Sequence, residues 1–312
     1  MIPLSVILPT HAPKPGILAR TLEALQGQSL PRIEWELLLV DNASPQRLSP
    51  DLTAWHPQGR VVREENLGLT HARLRGIAEA VGDVLVWVDD DNLLEPTYLE
   101  RVVAEFRARP RLGAAGGKSL PEYVEAPAEW YSSDLAPLGC RDLGDKPRVA
   151  RWDEGGSRGY PEFAPIGAGL ATRIAAIRQW AEVVQGDPRR IAFGRRGTAL
   201  TSGEDNDINL TLLGKGWEVA YFPELSLTHI IPPGRLTQDY QERMARTSFR
   251  DFVRVLDLHG IRPWSAIAPW TVPLRAVRAW LNQRAWGGPA ARIRWQGALG
   301  QFEGRARLPR NS

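Results

Sequence analysis

The chain has 312 residues, with 39 basic and 36 acidic side chains for a net charge of +3, and 43% of it is hydrophobic. This composition suits a soluble globular protein with room for one large domain or two small ones, and gives no general case for binding nucleic acid. A single cysteine, Cys140, excludes an intramolecular disulfide framework and a cysteine-based zinc site, and is compatible with a reducing cytoplasm. The opening "MIPLSVILPTHAP" has neither a basic region nor a small-residue cleavage site, so it reads as a buried strand rather than a signal peptide. No apolar run reaches the roughly 18 residues of a membrane span. The nearest, Trp264 to Leu281, is broken by Pro269, Pro273, Arg275 and Arg278.

In chain order, "LSVILPT" (4–10) is a short apolar strand, followed by a helical stripe of Ile17, Leu18, Thr21, Leu22 and Leu25. "WELLLVDNAS" (35–44) is a second buried strand running into a polar turn, and "GRVVREE" (59–65) a weaker third. Leu74, Ile77, Ala78 and Val81 mark one helix face, "DVLVWV" (83–88) a fourth strand, and Tyr98, Leu99, Val102, Val103 and Phe106 another helix. Continuous apolar strands alternating with helices predict an α/β fold with a mostly parallel sheet covered on both faces. From 116 to 160 the periodicity fades, which is expected of a mobile loop or insertion closing over a ligand. Regular patterns resume at "FAPIGAGLATR" (163–173), a helix over 174–184, the segment "GEDNDINLTLLGKG" (203–216) and a strand-like "WEVAYFPELSLTHI" (217–230). Phe249, Phe252, Val253 and Leu256 mark a further amphipathic helix, and the tail beyond Arg262 is rich in Trp and Arg.

The candidate site follows from where the strands end. Ligands of open parallel sheets bind outside the carboxyl ends of the strands, which here carry Thr10 and His11, Asp41 and Asn42, and Asp89, Asp90, Asp91 and Asn92. Asp and Asn are also ordinary turn and cap residues, but a cap needs one carboxylate and three in a row repel each other. A hard divalent cation such as Mg²⁺ takes one or two carboxylates plus substrate phosphates. In an extended segment, Asp89 and Asp91 would point to one side and Asp90 to the other.

"WVDDDNLLEP" resembles the D-x-D segment of glycosyltransferases of the GT-A fold, specifically the inverting, nucleotide-sugar-dependent family 2. "SVILPTHAP" (5–13), "LLVDNAS" (38–44) and "ENLGLTHARLRGI" (65–77) resemble the family's other nucleotide-side segments, in the expected order over roughly the first 110 residues. The resemblance implies a GT-A, Rossmann-like catalytic domain over 1–235, with a nucleotide-binding half (1–115), the loop (116–160) and an acceptor half (161–235), followed by a helical extension (236–312). It places Pro9, Thr10, Asp41, Asn66, Gly68, Arg73, Asp89 and Asp90 at the nucleotide, and assigns Asp91 and Asp89 to a Mn²⁺ or Mg²⁺ ion. In "SGEDNDINL" (202–210), acidic residues also suit the first turn of a helix for dipole reasons. The family's Glu-Asp motif implies Asp205 as the base for the acceptor hydroxyl and Glu204 as a positioning or acceptor-binding residue. His229 either caps the core or joins the metal, and Arg235 follows it toward the diphosphate.

The expected activity is transfer of one sugar, with inversion, from a nucleotide-sugar (UDP most commonly) to a glycan or lipid-linked acceptor in cell-surface polysaccharide or glycolipid assembly. "ARIRWQ" (291–296) lacks the Gln of the processive Gln-x-x-Arg-Trp motif, which argues against polymerisation. "GAGLAT" (167–172) lacks the last glycine of a dinucleotide fingerprint and sits outside the first strand–helix turn. Two rivals are a sugar-phosphate nucleotidyltransferase, for which "THAPKPG" (10–16) is a poor triphosphate loop, and a non-catalytic nucleotide- or glycan-binding relative. The Trp/Arg tail suits packing on the core, a dimer contact, or a peripheral contact at the inner, cytoplasmic face of a membrane.

Overall fold

The computed structural model describes residues 3–309 except 154, 155, 157 and 198. The first half alternates β1 (Leu4–Thr10), α1 (Pro15–Gln26), β2 (Trp35–Asn42), β3 (Gly59–Glu64), α2 (Leu69–Glu79), β4 (Val84–Trp87), β5 (Asn92–Leu94), α3 (Tyr98–Ala108) and β6 (Leu112–Gly116). Then come β7 (Ser119–Tyr123), β8 (Arg148–Ala150), β9 (Ala171–Arg173), α4 (Ile174–Gln185), α5 (Pro188–Ile191), α6 (Glu204–Gly214), β10 (Glu218–Tyr221) and β11 (Leu227–Ile231). Three helices close the chain: α7 (Gln238–Leu258), α8 (Val272–Asn282) and α9 (Pro289–Arg305).

The main sheet has eight strands in the order β3-β2-β1-β4-β9-β6-β10-β8. Strands β1 to β4 are mutually parallel, β9 runs antiparallel between β4 and β6, and β8 is an antiparallel edge. Every residue of β1 and β2 is buried, as expected for strands covered on both faces. Leu18, Leu22, Leu99 and Val102 of α1 and α3 cover one face. Ala72, Ile177, Trp180, Ile208 and Leu212 of α2, α4 and α6 cover the other. The result is the expected α/β architecture, a mostly parallel sheet covered by helices on both faces, with the C-terminal helices appended.

Two expectations need correction. Residues 217–230 are not one strand: β10 ends at Tyr221 in the main sheet, and β11 starts at Leu227 in a small sheet ordered β5-β11-β7. Pro223 has no N–H to offer a ladder, and Leu225 N–H turns back to the Phe222 carbonyl at 3.0 Å. The segment 116–160 also holds more structure than an unpatterned loop. It contributes β7 and β8, and it buries Leu135 and Ala136 against Met244, Ala245 and Ile293 of the C-terminal helices.

The extension is held by close helix packing. Gly297, Gly300 and Gly304 of α9 lie against α7, and a Cβ at Gly300 would stand 2.0 Å from the Arg246 carbonyl oxygen. No described helix is long and apolar enough to cross a membrane.

One buried histidine makes the fold acid-sensitive. His56 is 3% exposed, packs against Trp35 with ring centroids 4.1 Å apart, and accepts the Gln58 N–H on Nδ1. Burial, aided by the charge of Arg32, lowers its pKa from 6.5 to about 4. The unfolded chain therefore takes up this proton first, so the stabilisation present above pH 6.5 is lost as pH falls through about 4. Melting temperature measured across that window should fall less steeply for His56→Gln than for the wild type; parallel profiles would contradict this.

Candidate active site

Between β1 and β4 the order of strands reverses, and the chain leaves their carboxyl ends in opposite directions, opening a crevice. A cavity of about 380 Å³ fills it. Pro9 and Thr10, at the end of β1, form part of its wall, and the three aspartates after β4 form its floor.

The aspartates are not extended. Asn92 N–H donates to the Asp89 carbonyl at 3.0 Å, closing a turn, so all three line the cavity instead of alternating. Thr10 donates its hydroxyl to the Asp90 carboxylate, and the Thr21 hydroxyl holds the Asp90 carbonyl at 2.9 Å. Burial, with the charges of Asp91 and Asp89, pushes Asp90 up to about 6 against the Thr10 hydrogen bond. Burial and then the charge of Asp91 also raise Asp89. Asp91 goes the other way. Burial would raise it, but the hydrogen bond and charge of His229 and the charge of Arg235 outweigh that and hold it at about 2.

Arg235 Nη2 donates to Asp91 Oδ2 at 2.9 Å, and His229 Nε2 lies 3.3 Å from Oδ1. Burial opposes the charged imidazole, yet the contact with Asp91 raises His229 to about 10. Both bases reach this point because β11 lays His229 beside Asn92 of β5, and Arg235 lies in the turn that follows β11. Among the described residues no three His, Cys, Asp or Glu side chains form a ready-made metal cage. Two carboxylates facing one cavity are still the share a divalent ion takes from protein when phosphates supply the rest. Asp89 and Asp91 fit that donor set, since both line the cavity.

The opposite wall comes from the start of α6. Gly203 enters it at φ 126°, a conformation that favours glycine. Glu204 turns inward, accepts the Thr70 hydroxyl at 3.0 Å and lies 3.2 Å from Arg73 Nη1. Arg73 is itself buried, with its guanidinium over the Trp87 ring. Burial raises the Glu204 pKa, and the charge of Arg73 and the Thr70 hydrogen bond oppose the rise. Asp205 turns to the cavity and accepts N–H groups from Gly167 at 3.1 Å and Asn206 at 2.9 Å. A carboxylate with two of its roughly four acceptor positions used can still take a proton.

Asp41, Asn66 and Gly68 stand outside the cavity wall. Asp41 is consumed by the N–H groups of Ser44 and Leu48 and by Arg63 at 2.8 Å, which lower its pKa although burial alone would raise it. Its neighbour Asn42 reaches the cavity instead, donating to the Asn66 carbonyl at 2.7 Å and accepting Gly68 N–H at 2.8 Å. Asn66 and Gly68 therefore act by fixing Asn42. The wall also includes His11, which meets the Asn42 carbonyl at 2.8 Å, and Arg195, whose charge is felt by Asp89 and Asp91. Asn42 and His11 were visible as polar strand ends; Arg195 sits in a segment with no periodicity to point to it.

Residues 5–148 match the family described as Glycosyl transferase family 2. That stretch runs from within β1 to the first residue of β8 and includes the whole aspartate floor. Over residues 5–148 the chain is a family 2 glycosyltransferase. The chain is 32% identical over 82 residues to a glucosyl-dolichyl phosphate glucuronosyltransferase of Haloferax volcanii, covering 26% of each protein. It is 23% identical over 270 residues to an N-acetylglucosaminyltransferase of Rhizobium meliloti, covering 84% of this chain and 60% of the relative. These matches span less than two thirds of the relatives' own length. A crystal structure of S. aureus TarS 1-349 in complex with UDP shares the fold, with a TM-score of 0.52 and 14% identity over 96% of this chain and 90% of that one.

Arg73, within the matched residues, and Glu204, beyond them, form a buried pair that ties α2 to α6. Arg73→Met strands the carboxylate and should cost about 3–5 kcal/mol of unfolding free energy in denaturant titration. Adding Glu204→Leu should recover most of that loss; no recovery would contradict the pairing.

Proposed function

We propose that the protein transfers one sugar from a nucleoside-diphosphate sugar to an acceptor hydroxyl with inversion at the anomeric carbon. The observation that carries this reading is a single cavity with the Asp89–Asp91 floor on one side and the open carboxylate of Asp205 on the other. A divalent ion, Mg²⁺ or Mn²⁺, would be held by Asp89 and Asp91 with His229 beside them, and would supply positive charge to the leaving diphosphate. Arg235 and His229 keep Asp91 ionised, and Arg235 adds a cation next to where the diphosphate lies. Thr10 fixes Asp90, and Asn42 and His11 line the nucleotide end.

Asp205 accepts the acceptor's hydroxyl proton as its oxygen attacks the anomeric carbon. The bond from that carbon to the diphosphate oxygen breaks on the opposite face, and its electron pair leaves with the nucleotide. Gly167 N–H and the start of α6 orient the carboxylate, while Glu204 holds that helix through Arg73. The UDP in the TarS structure supports a uridine donor. The names of the relatives, sugar transferases and a succinoglycan biosynthesis protein, support an acceptor in polysaccharide or glycolipid assembly.

Asp205→Asn preserves the shape of the site and removes the proton acceptor. It should lower kcat by about 10²–10⁴-fold with nucleotide affinity unchanged, and residual product should keep inverted configuration by proton NMR. Near-normal turnover in the variant, or a product of retained configuration, would overturn the assignment.

A further inference from the structure

The helix α8 has no buried residue. Leu274, Val277 and Leu281 are spaced to share one side of it, in line with Trp270 in the 3-10 turn just before it, at 66, 59, 52 and 73% exposure respectively. Trp280 and Trp286 extend the patch, with ring centroids 4.7 Å apart, and both are exposed. The other side of the helix faces the body of the protein, where Trp295 Nε1 donates to the Ala276 carbonyl of α8 at 3.0 Å. A soluble protein rarely leaves a contiguous stripe of this kind without a use for it.

The charge around the stripe narrows the choice of occupant. Between Asp257 and Glu303 there is no acidic residue, while Arg262, Arg275, Arg278, Arg284, Arg292 and Arg294 all fall there. Arg275 and Arg278 are exposed and sit on one flank of the stripe. A second copy docking through the same face would bring identical arginines together with no carboxylate of this segment to answer them. Arg262 and Arg292 already pair with Asp257 and Glu242, but a surface bearing phosphates answers Arg275 and Arg278 beside the stripe, and indole rings at the rim suit the headgroup level of a bilayer.

We propose that α8 and its flanks lie on an anionic lipid bilayer, with Trp270, Leu274, Val277 and Leu281 entering the headgroup–acyl boundary and Arg275 and Arg278 meeting lipid phosphates. This does not depend on the glycosyl-transfer reading. The same surface holds whatever the cavity binds.

The test is co-sedimentation of the full chain with vesicles of phosphatidylcholine alone or mixed with phosphatidylglycerol, at low and high salt. Binding should favour the anionic vesicles, weaken with salt, and drop about tenfold or more in Leu274→Glu/Leu281→Glu. Because both positions are exposed, that variant should keep the wild-type melting temperature. Arg275→Gln/Arg278→Gln should lose the preference for anionic lipid while keeping residual apolar binding. Failure of the folded wild type to bind anionic vesicles, equal binding by the Glu variant, or a dimer in sedimentation velocity that the Glu variant abolishes without any vesicle binding would overturn the proposal.

Discussion

Burying negative charge at the carboxyl ends of the sheet is the constraint on which the rest of the structure depends. Taking a carboxylate out of water costs several kcal/mol unless charge or hydrogen bonds offset it. The fold meets this cost differently at each strand end. Asp41 near the end of β2 is offset by two backbone N–H groups and Arg63, and becomes part of the scaffold. Asp91 after β4 is offset by His229 and Arg235, which a second sheet has to deliver. Asp89 and Asp90, both raised in pKa by burial and by their acidic neighbours, line the cavity and face whatever binds there.

The small sheet β5-β11-β7 makes sense in this light. Its pairing of His229 with Asn92 fixes a base from late in the chain against an aspartate from early in it. The Ser119 hydroxyl holds the Gly139 carbonyl at 2.6 Å, and that glycine, at φ 73°, stands close against the His229 ring, where a Cβ would make a tight contact at 3.1 Å. The segment 116–160 thus serves the site by backing His229, and its buried Leu135 and Ala136 join it to the C-terminal helices. Met244 of α7 reaches the cavity wall, so the extension is continuous with the site as well as with the exposed face of α8.

Much of this was legible in the sequence. Apolar runs and helical stripes located β1, β2, β4, α3 and α4 closely because their periodicity records burial on both sheet faces. Aspartates at a strand end, and a Glu-Asp pair opening a helix, marked both walls of the cavity. Three things were hidden for physical reasons. The D-x-D alternation assumed extended backbone, and a hydrogen-bonded turn gave all three aspartates the same outlook. Asp41 and Asn42 look equivalent in sequence, and the N–H groups of Ser44 and Leu48 together with Arg63 from the neighbouring strand decide which becomes structural. Arg195, between α5 and α6, is placed by tertiary packing alone.

The measurement that bears most directly on the site is calorimetric titration of the full chain with UDP, GDP, dTDP and CDP, with and without Mn²⁺, for the wild type and Asp89→Asn. Asp89 is the better probe because removing Asp91 would also strand His229 and Arg235. The expected result is binding of one nucleotide, strengthened by Mn²⁺, with affinity and metal response both reduced at least about tenfold in the variant. No binding of any nucleotide by the folded wild type, or binding indifferent to both Mn²⁺ and the substitution, would contradict a diphosphate site at these aspartates.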